Sequence, residues 1–204
     1  MPDSIQTIYL ASRSYRRQEL LIQADIAFEL IVFGNSAHED EEIDETPLPD
    51  ETPWDYALRV AKAKSLLGWK IIKERKLSKR PVLAADTTVE LAGKIIGKPV
   101  NAEDACNILR ALSGKTHRVF TAIAITFGDH TESMLSTSEV RFSSLSDEEI
   151  KRYVATGDPL DKAGAYGIQG KAALFVEYLS GSYSGVMGLP LFETGLLLKR
   201  FSTR

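Results

Sequence analysis

Apolar positions along the chain recur in two periods, and their order lays out an α/β protein. Residues 7–12, TIYLAS, predict a short strand, and YRRQELLIQAD (15–25) follows with Leu20, Leu21 and Ala24 on one helical face. AFELIVFG (27–34) predicts a second strand, and the acidic, proline-bearing stretch 35–53 a loop. WDYALRVAKAKSLLGWKIIKERK (54–76) has Tyr56, Val60, Ala63, Leu66 and Leu67 at helical spacing. RPVLAADTTVEL (80–91) is an apolar strand with a polar end, and 92–99 predict a turn and a short strand.

Residues 101–114 carry the marks of a bounded helix: Asn101 as N-cap, acids in the first turn and Gly114 past the end. Residues 116–145 predict two strands joined near Gly128 and Asp129. Ser146 and Glu149 have the spacing of a capping box for a helix over 146–157. Residues 172–188 predict strand, turn, strand, and 190–201 a last helix with proline in its first turn. Strands and helices mix without strict alternation. The expected fold is therefore a mixed sheet with helices on its faces, and a cleft between two lobes would gather the polar stretches.

A length of 204 residues suits one large domain or two joined lobes. The net charge of −3 offers no global positive field, so a nucleic-acid polymer is not an expected partner and any anion needs a local basic cluster. A single cysteine, Cys106, forms no disulfide within the chain, which fits a reducing compartment. No apolar run is long enough for a membrane span, and MPDSIQTIYL lacks the pattern of a signal peptide. The expected location is the cytoplasm.

Five stretches offer chemistry. In LASRSYRRQELL, Ser12, Ser14, Arg16 and Arg17 flank a helix start, where open N–H groups and guanidiniums suit a polyanion; paired arginines are also common on solvated helix edges. Asp86 ends the apolar run of VLAADTT, where it can activate water, bind a hard cation or close an Asx turn. Lys98, between Gly97 and Pro99, is placed to reach a phosphate or to sit exposed in its loop. Lys62 and Lys64 point to different faces of their helix, so at most one serves a site. In DKAGAYGIQG, Gln169 offers a donor and an acceptor, as a nucleobase edge requires, or forms part of a surface turn.

Other chemistries are absent by pattern. DKAGAYGIQG has neither phosphate-loop nor dinucleotide glycine spacing. His38, His117 and His130 lie far apart without zinc spacing, and His117 reads as a structural histidine. There is no nucleophile elbow, and Cys106 reads as a small, partly buried helix residue.

Taken in order, LASRSYRRQELL, IDETP, RVAKAKS, AADTTV, GKP, LRALSGKTHRVFTA, YVATGDPLDKAGAYGIQG and GLPL resemble the Maf family of nucleoside triphosphate pyrophosphatases, over nearly the whole chain. DKAGAYGIQG, ADTT and YRRQELL resemble its dTTP/UTP-directed branch. The resemblance implies an elongated α/β fold like the inosine triphosphate pyrophosphatases, one domain of two lobes over 1–204. It implies hydrolysis of dTTP and UTP to the monophosphate and pyrophosphate with a divalent cation, Mg²⁺ or Mn²⁺; a homodimer is compatible with it. Carried onto this chain, it puts Ser12, Arg16 and Arg17 on a phosphate loop, Lys64 and Lys98 on phosphate-directed lysines, and Asp86 on the general base. Arg16, Thr87 and Gln169 fall on positions tied to base preference. Glu45 falls on a candidate metal ligand beside Asp86, with Glu42 and Asp44 as alternatives in the same run.

Three positions depart from the family pattern: Tyr15 replaces a proline, Arg13 a small residue, and Ala63 a glutamate. The family's link to septum inhibition implies another class, a nucleotide-binding regulator of cell division. Asp86 speaks for the enzyme, because a carboxylate beside a triphosphate repels it unless a cation intervenes.

Overall fold

The computed structural model describes residues 7–32 and 43–202. The elements are β1 (Ile8–Leu10), α1 (Tyr15–Gln23), β2 (Phe28–Leu30), α2 (Pro53–Glu74), β3 (Val82–Leu91), β4 (Lys94–Ile96) and α3 (Ala102–Leu112). There follow β5 (Thr116–Phe127), β6 (His130–Phe142), α4 (Asp147–Val154), β7 (Val176–Ser180), α5 (Tyr183–Met187) and α6 (Leu191–Ser202). Three 3₁₀ turns, Asp158–Asp161, Ala163–Ala165 and Lys171–Phe175, fill the stretch between α4 and β7.

The strands form one seven-stranded mixed sheet in the order β2-β1-β3-β5-β6-β7, with β4 pairing β3. The pairs of β1 with β2 and β3 are parallel, the others antiparallel. This is the expected mixed α/β fold. Period-two alternation on β3 sends Leu83 and Ala85 into a core with Leu20, Leu21, Ile123 and Phe142, and Val82 and Ala84 into a second core with Ile71 and Ile72 of α2. Both faces are covered, which is why the strand reads as a continuous apolar run. Helix α2 lies close on the sheet: a Cβ at Gly68 would come within 2.7 Å of Val82 Cγ1.

Local chemistry sets the ends of the elements. Asn101 Oδ1 accepts from Asp104 N at 2.9 Å, and Gly114 past the helix takes φ 66°. Ser146 and Glu149 close a reciprocal capping box. Thr52 caps α2 through Asp55 N, so this helix starts at Pro53, inside the expected loop. The hairpin of β5 and β6 turns on Gly128 and Asp129 as expected.

One expectation is overturned. Residues 172–188 do not form two strands but a 3₁₀ turn, strand β7 and helix α5. Ser182 Oγ accepts from Gly185 N at 2.9 Å, an N-cap that turns the chain into α5 after Gly181. Pro190 lies one residue before α6, its carbonyl accepting Thr194 N–H at 2.9 Å. The end of the expected second strand (33–34) and the start of the acidic loop, with Glu42, lie outside the described residues.

Candidate active site

A cleft of about 720 Å³ opens over the middle of β3, at Asp86 to Val89; the strand runs on to Leu91, so Asp86 ends the apolar run but not the strand. It brings together Ser12, Arg16, Arg17, Glu45, Lys64, Asp86, Thr87, Lys98 and Gln169; of the two alternatives to Glu45, Asp44 does not line it and Glu42 lies outside the described residues. Six cationic side chains and three carboxylates line it, so the cleft is basic while the chain carries −3.

Consecutive residues of β3 serve its two sides. Asp86 faces α2, where Lys64 Nζ donates to its Oδ1 at 2.9 Å, and its Oδ2 accepts from Thr88 Oγ1 at 3.3 Å. Thr87 faces α1, where it accepts from Arg17 Nη2 at 3.4 Å. Asp86 is only 8% exposed, so its carboxylate is oriented by these partners rather than by bulk water.

Glu45 joins from an irregular segment. Its Oε1 lies 2.7 Å from the same Lys64 Nζ. Two residues of α2 hold that segment by its backbone: Tyr56 Oη donates to Glu45 O at 2.8 Å, and Arg59 donates to Asp44 O and Thr46 O, each at 2.9 Å. Arg59 is itself fixed by a two-pronged contact with Glu51, at 2.6 and 2.8 Å. Burial, then the charges of Asp86 and Glu45, push the Tyr56 phenol up to about 12, so it stays a donor. Asp44 turns back on its own loop, with Oδ1 accepting from Thr46 N at 2.8 Å; Glu45 is the one of this pair that reaches Lys64. Tyr56 and Arg59 escaped sequence reading because their partners are main-chain carbonyls, which no side-chain pattern marks.

The loop between β1 and α1 presents the adjacent arginines differently. Arg17 turns inward, its Nε donating to Gly188 O at 2.8 Å and its Nη1 to Ser12 Oγ at 3.1 Å. Burial lowers the guanidinium's pKa, with the Asp86 charge opposing. Arg16 instead reaches toward the far wall, 3.7 Å from Asp161 Oδ2. The first turn of α1 holds no acid and Ser14 makes no side-chain cap, and Ser14 to Arg17 line the cleft, so the N-terminus of α1 at its edge suits an anion. Tyr15 occupies the first helical position and is 71% exposed.

On the far wall, Gly164 N donates to Gly97 O at 3.0 Å and ties the Lys98 loop to the 3₁₀ segment. Among the described residues no ion pair engages Lys98. Gln169 lines the same wall, half-buried. Lys162, singled out by no earlier argument, donates to Asp158 O, Asp158 Oδ1 and Asp161 Oδ1 at 2.5, 3.0 and 2.7 Å, and so braces this wall.

His117 is the structural residue expected. It is buried, its Nε2 lies 2.8 Å from Tyr166 Oη, and burial pushes its pKa down to about 4. Cys106 is partly buried on α3.

Two carboxylates meeting at one point of a polar cleft fit Mg²⁺ or Mn²⁺, which take oxygen donors and are commonly held by one or two carboxylates plus substrate oxygens. No group of three potential ligands occurs among the described residues, so substrate and water would complete any such shell.

A mixed α/β sheet with a basic cleft over the middle of strand β3 offers a site for an anion. The Maf-like protein family model matches residues 7–201, and the chain belongs to that family. It is 60% identical over 197 residues to the dTTP/UTP pyrophosphatase of Dechloromonas aromatica (strain RCB), covering 97% of this chain and 98% of that protein. The proteins of the same name from Aromatoleum aromaticum and Nitrosomonas europaea are 57% and 52% identical; the matches cover 95% and 94% of this chain and 95% and 93% of theirs. Among solved structures, the Staphylococcus aureus Ham1 protein overlaps with a TM-score of 0.45 at 17% identity, over 67% of this chain and 72% of that one.

Proposed function

We propose that this chain hydrolyses nucleoside triphosphates, dTTP and UTP in particular, to the nucleoside monophosphate and pyrophosphate. The observation that carries the reading is the meeting of Asp86, Lys64 and Glu45 in a basic cleft, in a chain that matches relatives of that activity almost end to end.

The triphosphate lies along the basic wall, on the N–H groups of α1, Arg16 and Lys98. Asp86 accepts a proton from water as the water oxygen bonds to the α-phosphorus, and the bond from that phosphorus to the bridging oxygen breaks. Pyrophosphate leaves, and Lys64 and Lys98 offset its charge. A divalent cation, Mg²⁺ or Mn²⁺, held by Glu45 and Asp86 would add electrostatic stabilisation at the phosphoryl oxygens. Ser12 and Arg17 act behind this layer: Ser12 Oγ accepts from both Ser14 N and Arg17, which fixes the turn that aims α1. Thr87 and Gln169 supply hydrogen-bonding groups for the base.

The test is pyrophosphate release from a panel of nucleoside triphosphates with Mg²⁺, with Mn²⁺ and after chelation. Release from dTTP and UTP that chelation abolishes is expected. Binding of nucleotides without release from any of them would overturn the reading.

A further inference from the structure

Lys64 stands where a cation would be wanted. Its ammonium lies 2.7 Å from Glu45 Oε1 and 2.9 Å from Asp86 Oδ1, and its side chain is only 16% exposed. The contact is built in. Lys64 and Asp86 belong to α2 and β3, which the missing Cβ of Gly68 allows into close contact, and the Glu45 segment is clamped by Tyr56 and Arg59. No third potential ligand joins the two carboxylates among the described residues.

From this geometry we infer that Lys64 is the resident counter-ion of Glu45 and Asp86, and that it keeps the nucleotide-free protein from retaining a divalent cation. Mg²⁺ surrenders its water reluctantly, and two carboxylates whose charge one ammonium already halves give a divalent cation little reason to settle there. A triphosphate changes the balance in two ways. It draws the Lys64 ammonium toward its own oxygens, and it supplies the donors the protein lacks. The cation therefore enters with the nucleotide, and the free protein carries no metal cofactor of its own. This rests on the proposed nucleotide reading for the triphosphate, while the competition between Lys64 and the cation does not need turnover.

Direct Mn²⁺ binding separates the two. Free Mn²⁺ is followed by electron paramagnetic resonance as purified protein is added without nucleotide, for wild type, Lys64→Met and Lys64→Gln, with thermal unfolding as the control for folding. Wild type is expected to bind weakly. Both variants are expected to bind at least tenfold more tightly, and adding Asp86→Asn to Lys64→Met is expected to abolish the gain. Wild type is also expected to reach the affinity of the variants when α,β-methylene-UTP is present. Equal Mn²⁺ affinity of wild type and both folded variants would overturn the inference. Weak Mn²⁺ binding that the variants strengthen, in a protein that releases no pyrophosphate, would leave the counter-ion role standing and remove the catalytic reading instead.

Discussion

Strand β3 carries two buried acids on one face, four residues apart, and they are held in opposite ways. Glu90, 2% exposed, accepts from Arg118 Nε at 2.5 Å and also from Gly93 N–H. Its carboxyl is held below its ordinary 4.5, first by the Arg118 hydrogen bond and against the cost of burial. Both donors come from fixed scaffold, one across the strand pair of β3 and β5 and one from the hairpin of β3 and β4. Asp86 is paired with a lysine, whose single flexible ammonium it shares with Glu45. A planar guanidinium plus a backbone donor makes a permanent joint, whereas a shared ammonium makes one that a ligand can exchange. The difference in partner separates a fixed joint from an exchangeable one within one strand.

The comparison breaks most sharply at Asp86. Asp86→Asn is expected to lower turnover by about 10³-fold, the scale of a lost general base, with denaturant unfolding unchanged within about 1 kcal/mol. Pyrophosphate release and urea melts on the same preparation measure both.

Arg118→Met is expected to do the reverse, with a stability loss of about 3 kcal/mol from an unpaired buried carboxylate and turnover at saturation close to wild type. The pH dependence sharpens it. Because Glu90 is depressed in the folded state, its contribution is present above 4.5 and is lost as pH falls through its folded value. In the variant, burial outweighs the remaining Gly93 hydrogen bond and favours protonation of Glu90, so the gap between the two proteins is expected to narrow from pH 7 to pH 4 in urea melts. A gap that stays constant would remove Glu90 as the cause.

A smaller effect is expected at Arg59, which touches the Glu45 segment only through carbonyls. Arg59→Lys cannot reproduce the fork that spans Glu51, Asp44 O and Thr46 O, and is expected to raise the Mn²⁺ concentration needed for half-maximal turnover by about tenfold. An unchanged requirement would show that Glu45 holds its place without the clamp.

The smallest lies at His117, near the Glu90 end of the strand. With its pKa pushed from 6.5 to about 4, the unfolded chain binds more protons between those values, so this residue makes stability rise with pH there. Its ring signals in a proton NMR titration are expected to stay those of neutral imidazole down to pH 5. A midpoint near 6.5 would show that the ring is solvated.

Much of this was legible in the sequence. The helices with polar caps, Asn101 and Ser146, and the hairpin at Gly128 and Asp129 came from local signals that tertiary packing left alone. Residues 172–188 misled because an apolar run as short as AALFV fits a 3₁₀ turn entering a strand as well as a strand, and because Gly185 masked the helix that Ser182 caps. Ser12, Arg16, Arg17, Glu45, Lys64, Asp86, Thr87, Lys98 and Gln169 do line one cleft, but the contacts each makes there were hidden. Nothing in the letters RR tells that Arg17 turns into the protein and Arg16 across the cleft. That depends on a carbonyl at Gly188, reachable only in the folded chain.

The link between Arg17 and Gly188 spans 171 positions of sequence. A chain shortened before Gly188 would still contain Glu45, Lys64, Asp86 and Lys98, yet Arg17 would lack the carbonyl that holds it. Contacts this distant in sequence are slow to form, because the loop must close before the bond can repay it. The cleft is therefore completed only once Gly188 has been made, and a copy shortened before it holds the chemical groups without the carbonyl that fixes Arg17.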